Sequence, residues 1–289
     1  MRERSISICG FPGSGKSSYL AAMWHLVTTG AEQTALQFES LRNGDASHLN
    51  ALATRWRNGL KQARTEIPSS KLVSMNLKNT SGDVMRLTLP DLSGESYRDM
   101  FEVRECDPSV AQFLDGSQGM LLLIHADNIR QPHMVTTVVA QTQSLGSTIP
   151  DRQEIPWEAR LAPTQVQLVE LLQLLRLPPL NVPFRKLAIV LSAWDKVEDE
   201  GRNPEQFLAE RLPLLKQYLD SNADGWDWKV YGVSAQGGEY EKEDDRFTGL
   251  KLDKLNELKA LDEPSMRIKV VSGASTSSDL TEPISWLMK

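Results

Sequence analysis

The sequence predicts an α/β protein with a three-layer arrangement, in which a mostly parallel sheet lies between helices and has one antiparallel edge strand. Three observations carry this prediction. Continuous apolar runs typical of buried parallel strands recur along the chain, for instance at residues 120–126 and 186–191. Segments with helical spacing of apolar residues separate these runs. Two alternating segments, 71–78 and 84–90, indicate a hairpin and hence an antiparallel pairing.

The first elements are a strand at residues 5–9, a glycine-rich loop and a helix from residue 18 to about residue 27. Residues 33–42 fit neither a helix nor a strand pattern, whereas residues 47–64 show a helical period. The hairpin follows, because the turn-forming sequence Asn-Thr-Ser-Gly-Asp at 79–83 joins its two alternating runs.

The second half of the chain continues the alternation of strands and helices. A strongly apolar helix is predicted at 164–177, and a helix interrupted near Pro213 at 204–219. The acidic run 239–245 is interpreted as a solvated loop. The remaining predicted elements are strands at 186–191, 229–233 and 266–271 and a closing helix at 281–288.

Length and composition favour one domain over residues 1–289, with a core at about 5–236 and a C-terminal extension at about 237–289 packed on it. The net charge of −6 argues against direct binding to nucleic acid. Two cysteines suggest no disulfide framework. We find no apolar run long enough for a transmembrane helix and no secretory signal, so we expect a cytoplasmic protein.

The segment between the first strand and the first helix reads Gly-Phe-Pro-Gly-Ser-Gly-Lys-Ser, which is the G-x-x-x-x-G-K-[ST] pattern of a phosphate-binding loop. Its glycines let backbone N–H groups turn toward phosphate oxygens, and the helix behind it directs its positive end to the same place. A glycine-rich turn that binds nothing is the alternative interpretation. The candidate nucleotide-binding residues here are Gly10, Phe11, Pro12, Gly13, Ser14, Gly15, Lys16, Ser17 and Ser18.

A second signal stands at the end of the hairpin. Asp91-Leu92-Ser93-Gly94-Glu95 forms a D-x-x-G pattern directly after a predicted strand. An aspartate at this place can hold a Mg²⁺-bound water, and the glycine lets a backbone N–H approach a terminal phosphate. The alternative is that Asp91 caps a helix, since Ser93 and Glu95 also suit a helix start.

Two later strand ends carry residues suited to a purine base. Asp195 can accept hydrogen bonds from N1–H and the exocyclic amine of guanine, a donor pair that adenine lacks. The small-residue turn that begins at Ser234 suits backbone contact with the guanine O6 atom. The candidate base-binding residues are Trp194, Asp195, Ser234, Ala235 and Gln236.

The order of these motifs resembles P-loop GTPases of the Ras-like and translation-factor class, over about residues 5–236. The Ala-Pro-Thr-Gln sequence at 162–165 and the closing segment 282–287 are further similar to the bacterial double-GTPase group, which is associated with multi-gene conflict or defence systems. The resemblance implies GTP or GDP as ligand, Mg²⁺ as cofactor, and protein partners from the same system. It implies catalytic roles for Lys16, Thr65, Gly94 and Glu95 and Mg²⁺ ligation by Ser17, Thr65 and Asp91.

Several positions depart from the family pattern. Ser192 and Ala193 stand where the usual N-K-x-D motif has asparagine and a base-stacking lysine, so Trp194 is a candidate replacement for the stacking surface. Glu95 replaces the glutamine that orients the attacking water, which predicts slow intrinsic hydrolysis. The family pattern also has a threonine in a mobile loop just before the hairpin, a position that Thr65 fits and for which Ser69 and Ser70 are rivals.

No arginine is assignable as a catalytic finger, because Arg98 and Arg104 are better explained as solvated charges; a partner could supply one. Two other functions stay open: a P-loop ATPase in which Asp195 is a surface cap, and a nucleotide-binding interaction module that does not hydrolyse. The four histidines lack the spacing of a metal site. Core or interface packing is expected of Trp24, Trp56, Trp157, Trp226, Trp228 and Trp286.

Overall fold

The computed structural model describes residues 4–30, 33–43, 46–62, 73–89, 100–132, 156, 158 and 161–289. The first half contains β1 (Arg4–Cys9), α1 (Lys16–Thr29), β2 (Leu36–Asn43), α2 (Ala46–Arg57), β3 (Val73–Asn79), β4 (Val84–Leu89), α3 (Pro108–Asp115) and β5 (Gly119–His125). The second half contains α4 (Thr164–Arg176), β6 (Lys186–Ser192), α5 (Pro204–Arg211), α6 (Pro213–Ser221), β7 (Asp227–Ser234), α7 (Leu250–Lys259), β8 (Lys269–Ser272), β9 (Ser275–Ser277) and α8 (Glu282–Met288).

These strands form one sheet of nine strands within the described residues, in the order β2-β3-β4-β1-β5-β6-β7-β8-β9. The central strands β4, β1, β5, β6 and β7 run parallel. Antiparallel pairs flank them on both sides. The expectation of a single antiparallel edge strand is therefore wrong, and the sheet is mixed. The segment 36–43, which has no clear sequence pattern, is an edge strand. Its pairing with β3 shifts register between Phe38 and Ser40 and again between Leu41 and Asn43, and such bulges interrupt the two-residue alternation.

The central strands are buried on both faces, as their apolar sequences predict. On β5, Leu121 and Leu123 join one apolar cluster, whereas Met120, Leu122 and Ile124 join a second cluster on the opposite face. This division follows from the two-residue period of a strand, since successive side chains point to opposite faces. Helices cover both faces.

Parallel pairing brings the carboxyl ends of the central strands to the same edge of the sheet. Strands β1, β5, β6 and β7 end at Cys9, His125, Ser192 and Ser234. Register places His125 opposite Ser192, and Ser192 opposite Val233. The residues that follow these strands are therefore neighbours in space, and ligands bind at this edge in open α/β sheets.

The acidic run 239–245 is not simply a solvated loop, which corrects the sequence interpretation. Tyr240 and Glu241 are each 5% exposed. Glu241 forms a parallel β-bridge with Leu60, in which the Lys61 N–H donates to the Glu241 carbonyl (2.6 Å) and the Glu241 N–H donates to the Gly59 carbonyl (3.0 Å). The backbone pairing buries Glu241, although a carboxylate side chain favours exposure to water.

The C-terminal segment is part of the apolar core. Leu280, Ile284 and Leu287 are buried in the same cluster as β1 residues Ile6 and Ile8. The hydroxyl of Tyr19 on α1 donates to the Leu280 carbonyl (2.5 Å). Burial raises the pKa of Tyr19 well above its usual range, so this hydroxyl stays protonated and remains a donor.

Within the part of the chain that the structure describes, no helix combines the length and the apolarity needed to cross a bilayer.

Tyr19→Phe tests how strongly the C-terminal segment stabilises the fold. The substitution keeps the ring and leaves the buried Leu280 carbonyl without its donor, so we expect the free energy of unfolding to fall by about 1–2 kcal/mol. Urea denaturation followed by tryptophan fluorescence measures it, and a single transition is expected. Tyr218→Phe is the control, since the Tyr218 hydroxyl only accepts a longer bond from Trp226 (3.3 Å). Equal losses for the two variants, or two separate transitions, contradict the prediction.

Candidate functional site

The loop between β1 and α1 has a backbone that requires glycine at two positions. Gly15 is the N-terminal cap of α1 and lies in the left-handed region at φ 89°. A Cβ atom at Gly10 would lie 2.4 Å from the Ser14 Oγ atom and 2.7 Å from the Leu123 carbonyl oxygen. Any side chain at Gly10 would therefore force the loop away from β5.

Lys16 lies across the opening of this loop. Its Nζ atom donates to the carbonyls of Gly10 (2.5 Å) and Phe11 (3.2 Å). Helix α1 begins at Lys16 with no side-chain cap and with no acidic residue in its first turn. The positive end of the helix and the ammonium group therefore both lie at this loop, an arrangement that favours negative charge there.

Ser192 connects the loop to the end of β6. Its hydroxyl is buried and donates to the Ser14 carbonyl (2.8 Å), with a longer contact to the Ile124 carbonyl (3.4 Å). A Cβ atom at Gly15 would lie 2.9 Å from the Ser192 Oγ atom, so these two residues fit closely. Ser192, which stands where the N-K-x-D motif has asparagine, thus makes a polar cross-link between the end of β6 and the loop.

A cavity of about 230 Å³ lies on the α4 side of the loop, lined in part by Phe11, Ser14 and His125. The Ser14 Oγ and His125 Nδ1 atoms are buried and have no hydrogen-bond partner among the described residues. Burial lowers the pKa of His125, so its imidazole is neutral at pH 7. On this side the loop therefore adjoins a neutral imidazole, and within the described ranges Arg130 is the one cation that lines the cavity.

The ends of β6 and β7 bring the predicted base-binding residues together. The Ser234 hydroxyl is 1% exposed and donates to the Asp195 Oδ1 atom (2.6 Å). The same hydroxyl accepts from the Gly237 N–H (3.1 Å). This chain of bonds orients the carboxylate and closes the turn that begins at Ser234. A cavity of about 490 Å³ adjoins them, lined also by Arg267 and Lys269 of the C-terminal extension.

Trp194 does not provide a stacking surface, which corrects the sequence interpretation. Its ring is 2% exposed and packs edge-on against Phe207 of α5, with ring centroids 5.5 Å apart. A Cβ atom at Gly232 would lie 2.4 Å from the indole, so the ring lies directly on the β7 backbone. Burial of this large aromatic side chain is more favourable in free energy than its exposure at the surface.

Lys196, which follows β6, forms ion pairs with residues that follow β5 and β7. Its ammonium contacts Asp127, after β5 (3.3 Å), and Glu239, after β7 (2.9 Å). The hydrogen bond to Glu239 raises the pKa of Lys196 and lowers the pKa of the Glu239 carboxyl. Lys251 contacts Glu239 as well (3.1 Å). The sequence offered no signal for this network beyond the position of Lys196 next to Asp195.

Some predicted residues lie outside the described part of the chain, namely Thr65, Asp91, Gly94, Glu95 and Arg98. Their roles stay predictions. Arg104 is described; its guanidinium is exposed and pairs with Glu170, as expected for a solvated charge.

Comparison with known families identifies the group to which the chain is related. The sequence profile of Double-GTPase 1 matches residues 7–287, nearly the whole chain. The chain belongs to the Double-GTPase 1 family. The resemblance to double-GTPase domains drawn from the sequence is therefore confirmed. No curated protein gives a significant match.

Solved structures similar to this Double-GTPase chain include two translation factors. A bacterial selenocysteine-specific elongation factor, EF-Sec, has 11% identity and a TM-score of 0.36, over 82% of this chain and 27% of its own. Sup35 complexed with GDP has 14% identity and a TM-score of 0.36, over 89% of this chain and 45% of its own. The chain thus spans less than half the length of either protein.

Ser192→Ala tests the cross-link in this Double-GTPase chain. Removing the hydroxyl leaves the Ser14 carbonyl without its buried donor, so we expect a loss of about 1 kcal/mol in the free energy of unfolding. We also expect faster hydrogen exchange of the loop amide at Ser14, whose N–H donates to the Phe11 carbonyl (3.1 Å). Ser7→Ala is the matched control, because the buried Ser7 hydroxyl bonds to the Gly119 carbonyl (3.3 Å) and lies away from the loop. Equal loop exchange in both variants contradicts the prediction.

Proposed function

We propose that this chain binds GTP together with Mg²⁺ and hydrolyses it slowly, as a switch or assembly protein within a double-GTPase system. Membership of the family supports GTP binding in general. The observation that carries the proposal is a pair of hydrogen bonds at one edge of the sheet. Ser192 links β6 to the loop between β1 and α1, and three residues further along the chain Asp195 is bonded to Ser234.

The phosphate end of the nucleotide fits the loop between β1 and α1. Backbone N–H groups of the loop and the start of α1 bind phosphate oxygens, and the Lys16 ammonium faces the β- and γ-phosphates. Lys16 is already held over the loop by Gly10 and Phe11. These two bonds restrain the ammonium group on the side of the loop that faces the proposed phosphates.

The base end fits the turn at Asp195 and Ser234. Guanine donates from N1–H and its exocyclic amine to the Asp195 carboxylate, while adenine would leave this carboxylate unmatched. The Ser234 hydroxyl occupies one acceptor position on Oδ1, and a carboxylate has about four such positions, so capacity remains for both guanine donors.

The donor set is compatible with Mg²⁺. Among the described residues no cluster of three His, Cys, Asp or Glu side chains could form a protein cage for a metal. Mg²⁺ bound to a nucleotide needs only one or two protein ligands, because phosphate oxygens and waters supply the rest. Ser17 at the start of α1, with Thr65 and Asp91, would hold it. The ion supplies charge neutralisation on the phosphates when bound.

Hydrolysis would proceed by in-line attack of water on the γ-phosphate. Lys16 stabilises the charge that develops on the phosphate oxygens, and the Gly94 N–H approaches the γ-phosphate. Glu95 would polarise the water, but its negative charge near the γ-phosphate opposes the reaction, so turnover is slow. Loops around Thr65 and Gly94 would order with the triphosphate and relax after hydrolysis. We propose that a protein partner accelerates the reaction, in a bacterial cytoplasmic defence system.

Calorimetry with non-hydrolysable GTP and ATP analogues plus Mg²⁺, together with identification of any co-purifying nucleotide, tests the proposal. Binding of the GTP analogue with a clear preference over the ATP analogue supports it. Preference for the ATP analogue indicates a P-loop ATPase. GTP binding without turnover, either alone or with partner proteins, indicates a nucleotide-binding interaction module.

Lys16→Ala is expected to weaken triphosphate binding by at least about 100-fold, because it removes charge-assisted bonds to the β- and γ-phosphates. Calorimetry with the GTP analogue measures the loss. Lys254→Ala on the exposed face of α7 is the control for removal of one positive charge, and it should bind like the wild type. Unchanged affinity in Lys16→Ala would refute the assignment of the loop.

Asp195→Asn is expected to reduce GTP affinity on the order of 10²-fold, because the Asn amide N–H opposes the exocyclic amine of guanine and the remaining hydrogen bond to N1–H is no longer charge-assisted. The same variant should gain affinity for xanthosine triphosphate, since the Asn amide can donate to the oxygen that replaces the amine of guanine. Competition binding with GTP, XTP and ATP measures both effects. Retention of the wild-type preference for GTP over ATP would overturn the proposed base recognition.

A further inference from the structure

We propose that Trp56 is a positioning residue for base recognition: its indole N–H fixes the peptide group between Ala235 and Gln236, and thereby the backbone donors directed at the guanine O6 atom. This inference rests on the proposed function and extends it to a helix that the sequence motifs do not include. Trp56 lies in the last turn of α2, and its Nε1 atom donates to the Ala235 carbonyl (2.8 Å).

The bond determines the direction of a neighbouring N–H group. The peptide unit is planar and trans, so the Ala235 carbonyl and the Gln236 N–H belong to one rigid plane and point in opposite directions. Because the indole holds the carbonyl on the α2 side, the Gln236 N–H points away from α2. Rotation of this peptide would break the bond to Trp56 and leave a carbonyl without a partner.

The Gly237 N–H and the Ser234 hydroxyl of this turn already have hydrogen-bond partners. The Gly237 N–H donates to the Ser234 hydroxyl, which in turn donates to Asp195. No acceptor within the described residues receives the N–H groups of Ala235 or Gln236. These two amides are therefore the donors of the turn that remain for a base oxygen, and Trp56 fixes one of them.

Trp56 acts through the turn and not by contact with a base, because the residue has no exposed surface. The Arg267 guanidinium lies over its ring at 5.4 Å and donates to the Trp56 carbonyl (3.3 Å) and the Tyr240 hydroxyl (3.1 Å). The ring of His25 on α1 packs against it with centroids 5.2 Å apart. The indole is held in one orientation, as a positioning role requires.

The chain next to Trp56 is joined to the loop that follows the turn. Leu60 and Glu241 form the β-bridge, and Arg55 pairs with Glu243 (2.5 Å). The end of α2, the turn at 234–237 and residues 239–243 thus form one bonded unit beside the Asp195 carboxylate. Loss of the Trp56 bond would change the O6 side of the site and leave the Asp195 side intact.

Trp56→Phe tests this role because it keeps an aromatic ring and removes the N–H. Two nucleotide analogues separate the two edges of guanine. 6-Thio-GTP replaces O6 by sulfur, which is a weaker acceptor. ITP lacks the exocyclic amine whose N–H would donate to Asp195. We expect Trp56→Phe to bind GTP about 10-fold more weakly, to lose most of the preference for GTP over 6-thio-GTP, and to keep the preference for GTP over ITP.

Trp24→Phe is the matched control. Trp24 is also buried, and its Nε1 atom donates to Asn50 (2.9 Å), away from the turn. The ratio of its affinity for GTP to its affinity for each analogue should equal that of the wild type. If Trp56→Phe folds poorly, β-(3-benzothienyl)alanine at position 56 replaces the N–H by sulfur in a ring of nearly the same shape, and the same ratios are measured.

The outcomes separate the two proposals. A wild-type protein that does not bind GTP overturns the proposed function, and this inference with it. A wild-type protein that binds GTP in a Lys16- and Asp195-dependent manner, with no change of the 6-thio-GTP ratio in the variants at position 56, overturns this inference alone. Equal changes in both ratios also overturn it, because they indicate general loosening of the site.

Discussion

The parallel alignment of β1, β5, β6 and β7 is the constraint on which the site depends. It brings segments from residues 10, 126, 193 and 235 to one edge of the sheet, although they are far apart in the chain. The proposed contacts of the loop, of Asp195 and of the turn at Ser234 start at the ends of β1, β6 and β7. The alignment itself is stabilised by burial of apolar side chains on both faces of β5 and β6.

Polar cross-links convert this rough proximity into a defined geometry. Ser192 bonds to Ser14, Ser234 bonds to Asp195, and Trp56 bonds to Ala235. Each joins two segments that sequence separates widely, and each involves a buried group whose loss would leave a carbonyl or a carboxylate unsatisfied. These bonds orient the loop, the carboxylate and the turn relative to one another.

Local patterns predicted the elements that carry strong signals. The apolar runs at β5 and β6, the hairpin of β3 and β4 and the helix break at Pro213 all follow from patterns of a few residues. The predicted strand at 266–271 overlaps β8, but its antiparallel pairing with β7 was missed because pairing depends on distant segments, and β9 was missed because it has only three residues. The burial of Glu241 was missed because its partner, Leu60, lies far away in the sequence.

By itself the sequence determined the loop from Gly10 to Ser17, the order of the motifs and the places of Asp195 and Ser234, because each depends on residue types at short, fixed spacings. Only the tertiary structure decided that Trp194 is buried, that Ser192 cross-links β6 to the loop, and that Trp56 bonds to the turn at Ala235. Those outcomes depend on which distant segments meet. Side-chain burial and long-range hydrogen bonds are set by packing of the whole chain, which no local spacing encodes.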